Sequence, residues 1–384
     1  MRRLIALEMP AGPSFVEEML RAFDDGDAVW PVDNRLAGEA RARLFAAMRP
    51  ACLVGERGER CDLEGAEPVE DGDALVMATS GSTGREKGAV LTHRAVEASA
   101  RATSARLGAD PGTDRWWACL PLSHVGGLSV VTRSLVTGVG CEVAAGVDRE
   151  RALEALEGGA TLTSLVPSAL RRLGDALVGR WRRIVLGGQA PPAALPPNVV
   201  ATYGMTETGS GVVYDGVPLD GVEVRIEDGE ILLRCPMLLR AYRDGSDPRG
   251  AEGWFPTGDA GELAPDGRLV VHGRMGELVI TGGENVWPSA VEPLLRRHPA
   301  VLDAAVGGRA DPEWGERVVA YVVVSHLEVL APALLAELRE LVRGDLAGFA
   351  APREVVVVES IPRTALGKIR REALASLSGP SASL

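Results

Sequence analysis

From Asp73 onward the sequence repeats one phrase: a short apolar run followed by a turn rich in glycine and hydroxyl side chains. Ala74–Ala78 runs into TSGSTGREKG, Trp116–Leu120 into PLSHVGG, Ile184–Leu186 into GGQAPP, and Val199–Tyr203 into GMTETGSG. The runs are too short for helices, and helical patterns such as Ala95–Leu107 and Ala152–Leu156 fall between them. Strand, loop and helix in alternation predict a parallel α/β layer that binds ligands at its strand ends.

The texture then changes twice. After about Val212, the segments Val222–Ile226, Glu230–Arg234, Gly261–Ala264 and Arg268–His272 read as short strands. The pairs Asp228-Gly229 and Asp266-Gly267 are hairpin-turn signals. After Arg274 a compact α+β unit is expected. Its helices are Ala290–Arg297 and Ala331–Arg343, and its strands are Ala304–Val306, Val318–Val324 and Glu354–Glu359. A domain boundary is expected near Gly273–Gly276, and the closing SLSGPSASL reads as a frayed tail.

Charge and cysteine usage remove several function classes. A net charge of −12 argues against a nucleic-acid binder. The 5 cysteines are widely spaced with no CxxC, and the 5 histidines show no HExxH, so neither a disulfide framework nor a zinc site is expected. MRRLIALEMPAG is broken by Glu8 and is a poor signal peptide, and no run approaches a membrane span. A cytoplasmic protein is the default expectation.

The run Thr79, Ser80, Gly81, Ser82, Thr83, Gly84, Arg85, Glu86, Lys87, Gly88 carries chemistry. Small residues let backbone N–H groups approach phosphate oxygens, hydroxyls can donate to them, and Lys87 adds positive charge. The spacing is not that of a Walker loop. The run resembles the phosphate loop of the acyl-adenylate-forming superfamily. Further segments match that superfamily in order: Tyr203-Gly204-Met205-Thr206-Glu207-Thr208, then Trp254-Phe255-Pro256-Thr257-Gly258-Asp259. Gly273-Arg274 with Gly282-Gly283-Glu284-Asn285 follows, and then Pro362-Arg363-Thr364-Ala365-Leu366-Gly367-Lys368.

The resemblance implies an acyl-CoA synthetase-like fold. A large N-terminal domain of α/β layers would span 1–273, with a β subdomain at about 213–273. A hinge at 274–276 and a smaller mobile α+β domain at 277–384 would complete it. The chain ahead of the phosphate loop is short for the superfamily, so part of its usual N-terminal subdomain is expected to be missing. Gly276 stands where the hinge residue is usually Asp or Lys, and Glu86 where Pro is common. Glycine can still hinge, but it offers no side chain to lock either state.

The implied chemistry is attack of a carboxylate on the α-phosphate of ATP, with CoA and Mg²⁺ as the other expected partners. Both reactants are anionic, so the site must supply positive charge and orientation. The resemblance places Lys87 and the hydroxyls of Thr79, Ser80, Ser82 and Thr83 near the β- and γ-phosphates. It puts Thr206 on the α-phosphate and Glu207 on Mg²⁺. Asp259 and Arg274 would take the ribose, and Gly187, Gly188, Gln189, Tyr203 and Gly204 the adenine side. Lys368 would bridge carboxylate and α-phosphate during adenylation.

The segment Leu120–Arg133, reading LPLSHVGGLSVVTR, together with Thr161–Ser168 resembles the o-succinylbenzoate–CoA ligase branch of menaquinone synthesis. That acid has two carboxylates and only one is activated, so the other needs a buried partner. Arg133 is the expected partner, His124 is expected to gate or line the pocket, and Ser123, Gly126, Gly127 and Ser164 to shape it. Each of these residues has a plain structural alternative, such as a satisfied histidine or an arginine on a helix surface. The rival readings are another small aromatic or short-chain acyl-CoA synthetase, an adenylating enzyme with a carrier-protein acceptor, and a nucleotide sensor without turnover. Nucleic acid and membrane insertion are not expected, and a homodimer is left open.

Overall fold

The computed structural model describes residues 1–36, 38–80, 86–192, 194–250, 252–325, 331–363 and 369–383. The chain divides into two compact units. One holds Met1–Arg225, Leu232–Pro256 and Gly267–Leu269; the other holds Ile226–Ile231, Thr257–Asp266 and Val270–Leu384.

The first unit is built on two 7-stranded sheets. In the first sheet the strand order is Ala241–Tyr242, Glu86–Thr92, Asp73–Ser80, Ala28–Pro31, Leu4–Leu7, Cys52–Val54 and Arg60–Asp62. Its centre is parallel, with Leu4–Leu7 between Ala28–Pro31 and Cys52–Val54. All four residues of Leu4–Leu7 are buried, as expected of a strand covered on both faces. The segment ahead of the phosphate loop therefore supplies the sheet's central strands.

The second sheet matches the parallel layer predicted from the repeated phrase. Its order is Val217–Pro218, Ser210–Tyr214, Val199–Met205, Arg183–Leu186, Leu162–Leu165, Arg115–Ala118 and Gly140–Val143. The last five of these pair in parallel. The first two return antiparallel through a turn at Asp215-Gly216, where both residues have positive φ.

The predicted helix Ala95–Leu107 is present as His93–Leu107, but a strand not expected from the sequence, Glu86–Thr92, precedes it. Asp73–Ser80 pairs antiparallel with Glu86–Thr92, and Thr79 faces Lys87 across the ladder. The helix His93–Leu107 begins only after this second strand. Thr92 caps it by accepting from the Ala95 N–H at 3.2 Å, and Gly108 ends it in the left-handed conformation. This helix follows a strand of the first sheet and reaches the second. Ser99 Oγ lies 2.8 Å from Ser210 Oγ, and Thr103 Oγ1 lies 3.1 Å from the Tyr214 hydroxyl.

Arg182 ties the far end of the same helix to the second sheet. It donates to the Leu107 carbonyl at 3.2 Å and forks onto Asp114 at 2.7 and 2.6 Å. Thr161 Oγ1 adds a third bond to Asp114 at 2.6 Å.

In the second unit, Glu284–Val286, Val279–Thr281, Gly315–Val324, Glu354–Val357 and Ser381–Ser383 form one sheet, joined by Val301–Asp311 against Gly315–Val324. Helices Pro288–Leu295 and Ala331–Asp345 cover it, and Leu334, Leu335, Leu338 and Val342 bury the predicted helical stripe. Ser381–Ser383 corrects the expectation of a frayed tail. It pairs antiparallel with Glu354–Val357, a backbone ladder that Ser-Ala-Ser does not advertise in its side chains. The predicted strands and helices of this unit and of the β segment appear, Glu230–Arg234 at its expected ends and the others with shifted ends. Phe255–Leu263, for instance, starts well before the expected Gly261. Asp228-Gly229 forms its turn with both residues at positive φ.

Burial works to raise the Asp114 pKa, but the hydrogen bonds from Arg182 and Thr161 outweigh it, and the carboxyl titrates below the ordinary aspartate range. Its stabilisation is therefore complete above the unfolded pKa of about 3.9 and is lost as pH falls through the lower folded value. Asp114→Ala is expected to cost about 2–3 kcal/mol at pH 7. That is less than a fully buried pair, because Arg182 keeps 38% of its side chain exposed. Thermal melting of both proteins from pH 7 to pH 2 checks this; the gap between them should close at the acid end.

Candidate active site

The predicted phosphate and metal residues of the first unit begin at the end of Asp73–Ser80 and after Val199–Met205. Gly81, Ser82, Thr83 and Gly84 lie outside the described residues, and Ser80 is described by its backbone alone. Thr79 and Lys87, on either side of that run in the sequence, are cross-strand partners. Lys87 Nζ stands 4.5 Å from the centroid of the Tyr242 ring. The Tyr242 hydroxyl donates to Glu207 Oε1 at 2.9 Å. Tyr242 was not among the residues the sequence singled out. It lies far from both partners along the chain, and only the pairing of Ala241–Tyr242 with Ala89 and Val90 brings it there.

Thr206 and Glu207 begin a 3-10 turn, Thr206–Thr208, and both are half-buried. The turn is held from within by Thr208, whose hydroxyl donates at 2.7 Å to the Ser210 carbonyl and accepts from the Met205 N–H at 3.0 Å. Gly204 is required just upstream, because a Cβ there would stand 2.2 Å from the Ser210 carbonyl oxygen. Tyr203, the residue before it, pairs with Val213. Gly187, Gly188 and Gln189 follow the strand Arg183–Leu186. A Cβ on Gly187 would meet Thr202 Oγ1 at 2.8 Å, so only glycine lets the backbone pack this closely on the Tyr203 strand.

No cluster of three or more His, Cys, Asp or Glu able to hold a metal occurs among the described residues. Glu207 is thus a single carboxylate with one oxygen engaged by Tyr242. That suits Mg²⁺, which is commonly held by one or two carboxylates plus substrate phosphates and water rather than by a full protein cage.

The predicted acid-binding residues gather around helix Val125–Thr137. His124 is its N-cap, with Nε2 3.9 Å from Asp33 Oδ2. Asp33 itself is drawn below the ordinary carboxylate range chiefly by its hydrogen bond from Arg35. Ser123 is half-buried and Gly126 exposed. Gly127 lets the first turn lie on the preceding loop, since a Cβ there would come within 2.4 Å of the Pro121 carbonyl oxygen.

Arg133, two turns along, is only 2% exposed. Its Nη1 donates to Ser164 Oγ at 3.3 Å, and its guanidinium carbon lies 5.4 Å from the Trp116 ring centroid. Nε has no partner, and no carboxylate pairs with this arginine among the described residues. Burial lowers the Arg133 pKa from its ordinary value. A buried cation held by one hydroxyl and one aromatic face is costly to desolvate, and its charge is unmet among the described residues.

Asp259 and Arg274, the predicted ribose residues, belong to the second unit and meet directly. Arg274 Nε lies 3.1 Å from Asp259 Oδ1, and Nη1 donates to the Thr257 carbonyl at 2.7 Å. Thr257 Oγ1 accepts from the Asp259 N–H at 3.1 Å and donates to the Ile231 carbonyl at 2.7 Å, which fixes the turn. Lys368 lies outside the described residues.

Two family models match the chain. The AMP-binding enzyme model matches residues 49–243, and the AMP-binding enzyme C-terminal domain model matches residues 290–368. A probable 2-succinylbenzoate–CoA ligase of Mycobacterium tuberculosis is 41% identical, the match covering 88% of this chain and 96% of that protein.

The chain belongs to the AMP-binding enzyme family.

Two solved structures of one enzyme share its fold closely. The o-succinylbenzoate CoA synthetase of Bacillus subtilis, in complex with the acyl-adenylate intermediate OSB-AMP, superposes with a TM-score of 0.85 at 28% identity, covering 99% of this chain and 90% of that one. The same enzyme in complex with ATP and magnesium ion gives 0.83 at 27% identity, covering 98% and 90%.

Two adjacent glycines test how helix Val125–Thr137 is seated. Gly127→Ala should lower stability by about 1–3 kcal/mol, because backbone oxygen must move to admit the methyl group. At Gly126 a Cβ meets only Leu120 Cδ1, at 3.5 Å. Gly126→Ala should therefore be neutral or stabilise by up to about 1 kcal/mol. Differential scanning calorimetry of the two variants reads the contrast directly.

Proposed function

We propose that this AMP-binding enzyme activates o-succinylbenzoate with ATP to the acyl-adenylate and transfers it to CoA, yielding o-succinylbenzoyl-CoA, AMP and pyrophosphate. The observation that carries the substrate assignment is Arg133, a buried cation without a carboxylate partner among the described residues, beside Ser164. The names of its relatives support the same reading. The acid's aromatic carboxylate pairs with Arg133 directly or through one water, while His124, Ser123, Gly126 and Gly127 shape the pocket. An acid with a single carboxylate leaves the guanidinium unpaired and is disfavoured.

Adenylation joins two anions. Lys87, Thr79 and the intervening Ser80, Gly81, Ser82, Thr83 and Gly84 hold the β- and γ-phosphates. Thr206 donates to the α-phosphate. Gly187, Gly188, Gln189, Tyr203 and Gly204 take adenine, and Asp259 with Arg274 takes the ribose. Glu207 binds Mg²⁺, which when present neutralises phosphate charge and stabilises the pyrophosphate leaving group. Lys368 supplies positive charge to the carboxylate and α-phosphate oxygens as they approach. The carboxylate oxygen attacks phosphorus, the bond to pyrophosphate breaks, and the CoA thiolate then displaces AMP from the acyl carbon.

The proposed domain scheme is 1–273, a hinge at 274–276 and 277–384, with Gly276 as the residue that changes backbone conformation between the two half-reactions. Among the described residues no helix is long and apolar enough to cross a membrane. A cytoplasmic location belongs to the same reading.

Pyrophosphate release across a panel of acids tests the assignment. o-Succinylbenzoate should be turned over best, with benzoate and fatty acids poor, and Arg133→Ala should narrow that gap by roughly 10²-fold. A medium-chain fatty acid as best substrate would sink the assignment of the acid. Lys368→Ala should slow adenylation roughly 10²–10³-fold while thioester formation from preformed acyl-AMP survives. Equal loss of both half-reactions contradicts the role given to Lys368.

A further inference from the structure

Opposite charges intended for a bound metal and a phosphate face an elementary hazard: left to themselves they pair with each other. Lys87 and Glu207 are such charges, and they form no ion pair among the described residues. Tyr242 engages both. Its hydroxyl donates to Glu207 Oε1 at 2.9 Å, and its ring lies beneath Lys87 Nζ at 4.5 Å. The hydroxyl bond is charge-assisted and fixes the rotation of the carboxylate while leaving Oε2 without a partner among the described residues. The aromatic face attracts the ammonium without consuming a hydrogen bond.

The backbone around Tyr242 joins the same two places. Leu239 N–H donates to the Glu207 carbonyl at 2.7 Å. Arg240 N–H donates to the Val90 carbonyl at 2.8 Å and Arg243 N–H to the Gly88 carbonyl at 2.7 Å, both on the strand that carries Lys87. Arg240 then forks onto Asp73 at 2.9 and 3.0 Å, at the start of the other hairpin strand. One short stretch, 239–243, is therefore bonded to both strands of the phosphate hairpin and to the Glu207 turn.

We infer that Tyr242 is a positioning residue for the adenylation reaction: it presents Glu207 to Mg²⁺ and holds Lys87 apart from it for the nucleotide phosphates. The inference rests on the adenylation reading above and adds a residue to it. Tyr242→Phe keeps the ring beneath Lys87 and removes the hydroxyl that donates to Glu207, and the E207Q background shows how much of its effect runs through that carboxylate.

The test is ATP binding by titration calorimetry without acid substrate, in magnesium and in EDTA, for wild type, Y242F, E207Q and the double variant. Wild type should bind ATP more tightly with magnesium. Y242F should lose roughly tenfold of that magnesium-dependent gain, with affinity in EDTA changed less than about twofold. In the E207Q background the same change should have no further effect, because Tyr242 acts through Glu207. Wild-type magnesium dependence in Y242F, equal weakening with and without metal, or a ligand-free melting point far below wild type would each overturn the assignment. The last result would make the hydroxyl a bond of the fold. A wild-type protein without magnesium-dependent ATP binding would instead overturn the adenylation reading itself.

Discussion

A guanidinium buried beneath a tryptophan, with one hydroxyl for company, is the constraint on which the proposed acid pocket rests. Removing a charge from water without a counter-charge is costly, and the fold sustains Arg133 there through rigid neighbours. Helix Val125–Thr137 is pinned at its start by Gly127 against backbone oxygen, and Trp116 and Ser164 come from adjacent strands of the parallel layer. Such a residue makes sense when the ligand brings its own anion into the pocket. Specificity then comes less from a tight contact with the right acid than from an unpaired charge left by the wrong one.

The nucleotide side solves a different electrostatic problem. ATP and the acid carry like charges, so cations must be present but not neutralised by the protein's own acids. Tyr242 between Lys87 and Glu207 meets that need in the first unit. In the second unit Asp259 and Arg274 are already an ion pair, so a ribose hydroxyl there would meet a carboxylate whose orientation the arginine has set. The turn beneath that pair is held by Thr257 through two hydrogen bonds.

Local chemistry made part of this visible in the sequence. Apolar runs ending in glycine-rich turns gave the parallel layer, and Asp-Gly at 228–229 gave its turn. The hairpin after the phosphate loop was hidden because Glu86-Lys87-Gly88 reads as loop and Thr92 is the true helix cap. Leu4–Leu7 and Ala28–Pro31 are too short to show a period, although they form the middle of a sheet. Arg133 was legible as a candidate, but its burial was not, since a helix pattern does not report what covers it. Tyr242 had no local signal at all; strand pairing distant in sequence brings it to Glu207. Lys368, which the motif marks most sharply, lies outside the described residues.

The most direct test of the central claim changes the ligand and leaves the protein intact. ATP–pyrophosphate exchange should be measured for o-succinylbenzoate and for 4-oxo-4-phenylbutanoate, which lacks only the ring carboxylate. If Arg133 awaits that group, the analogue's kcat/KM should fall by roughly 10²–10³-fold. Exchange at equal efficiency for the two acids would show that the buried guanidinium does not read the second carboxylate, and would contradict the account.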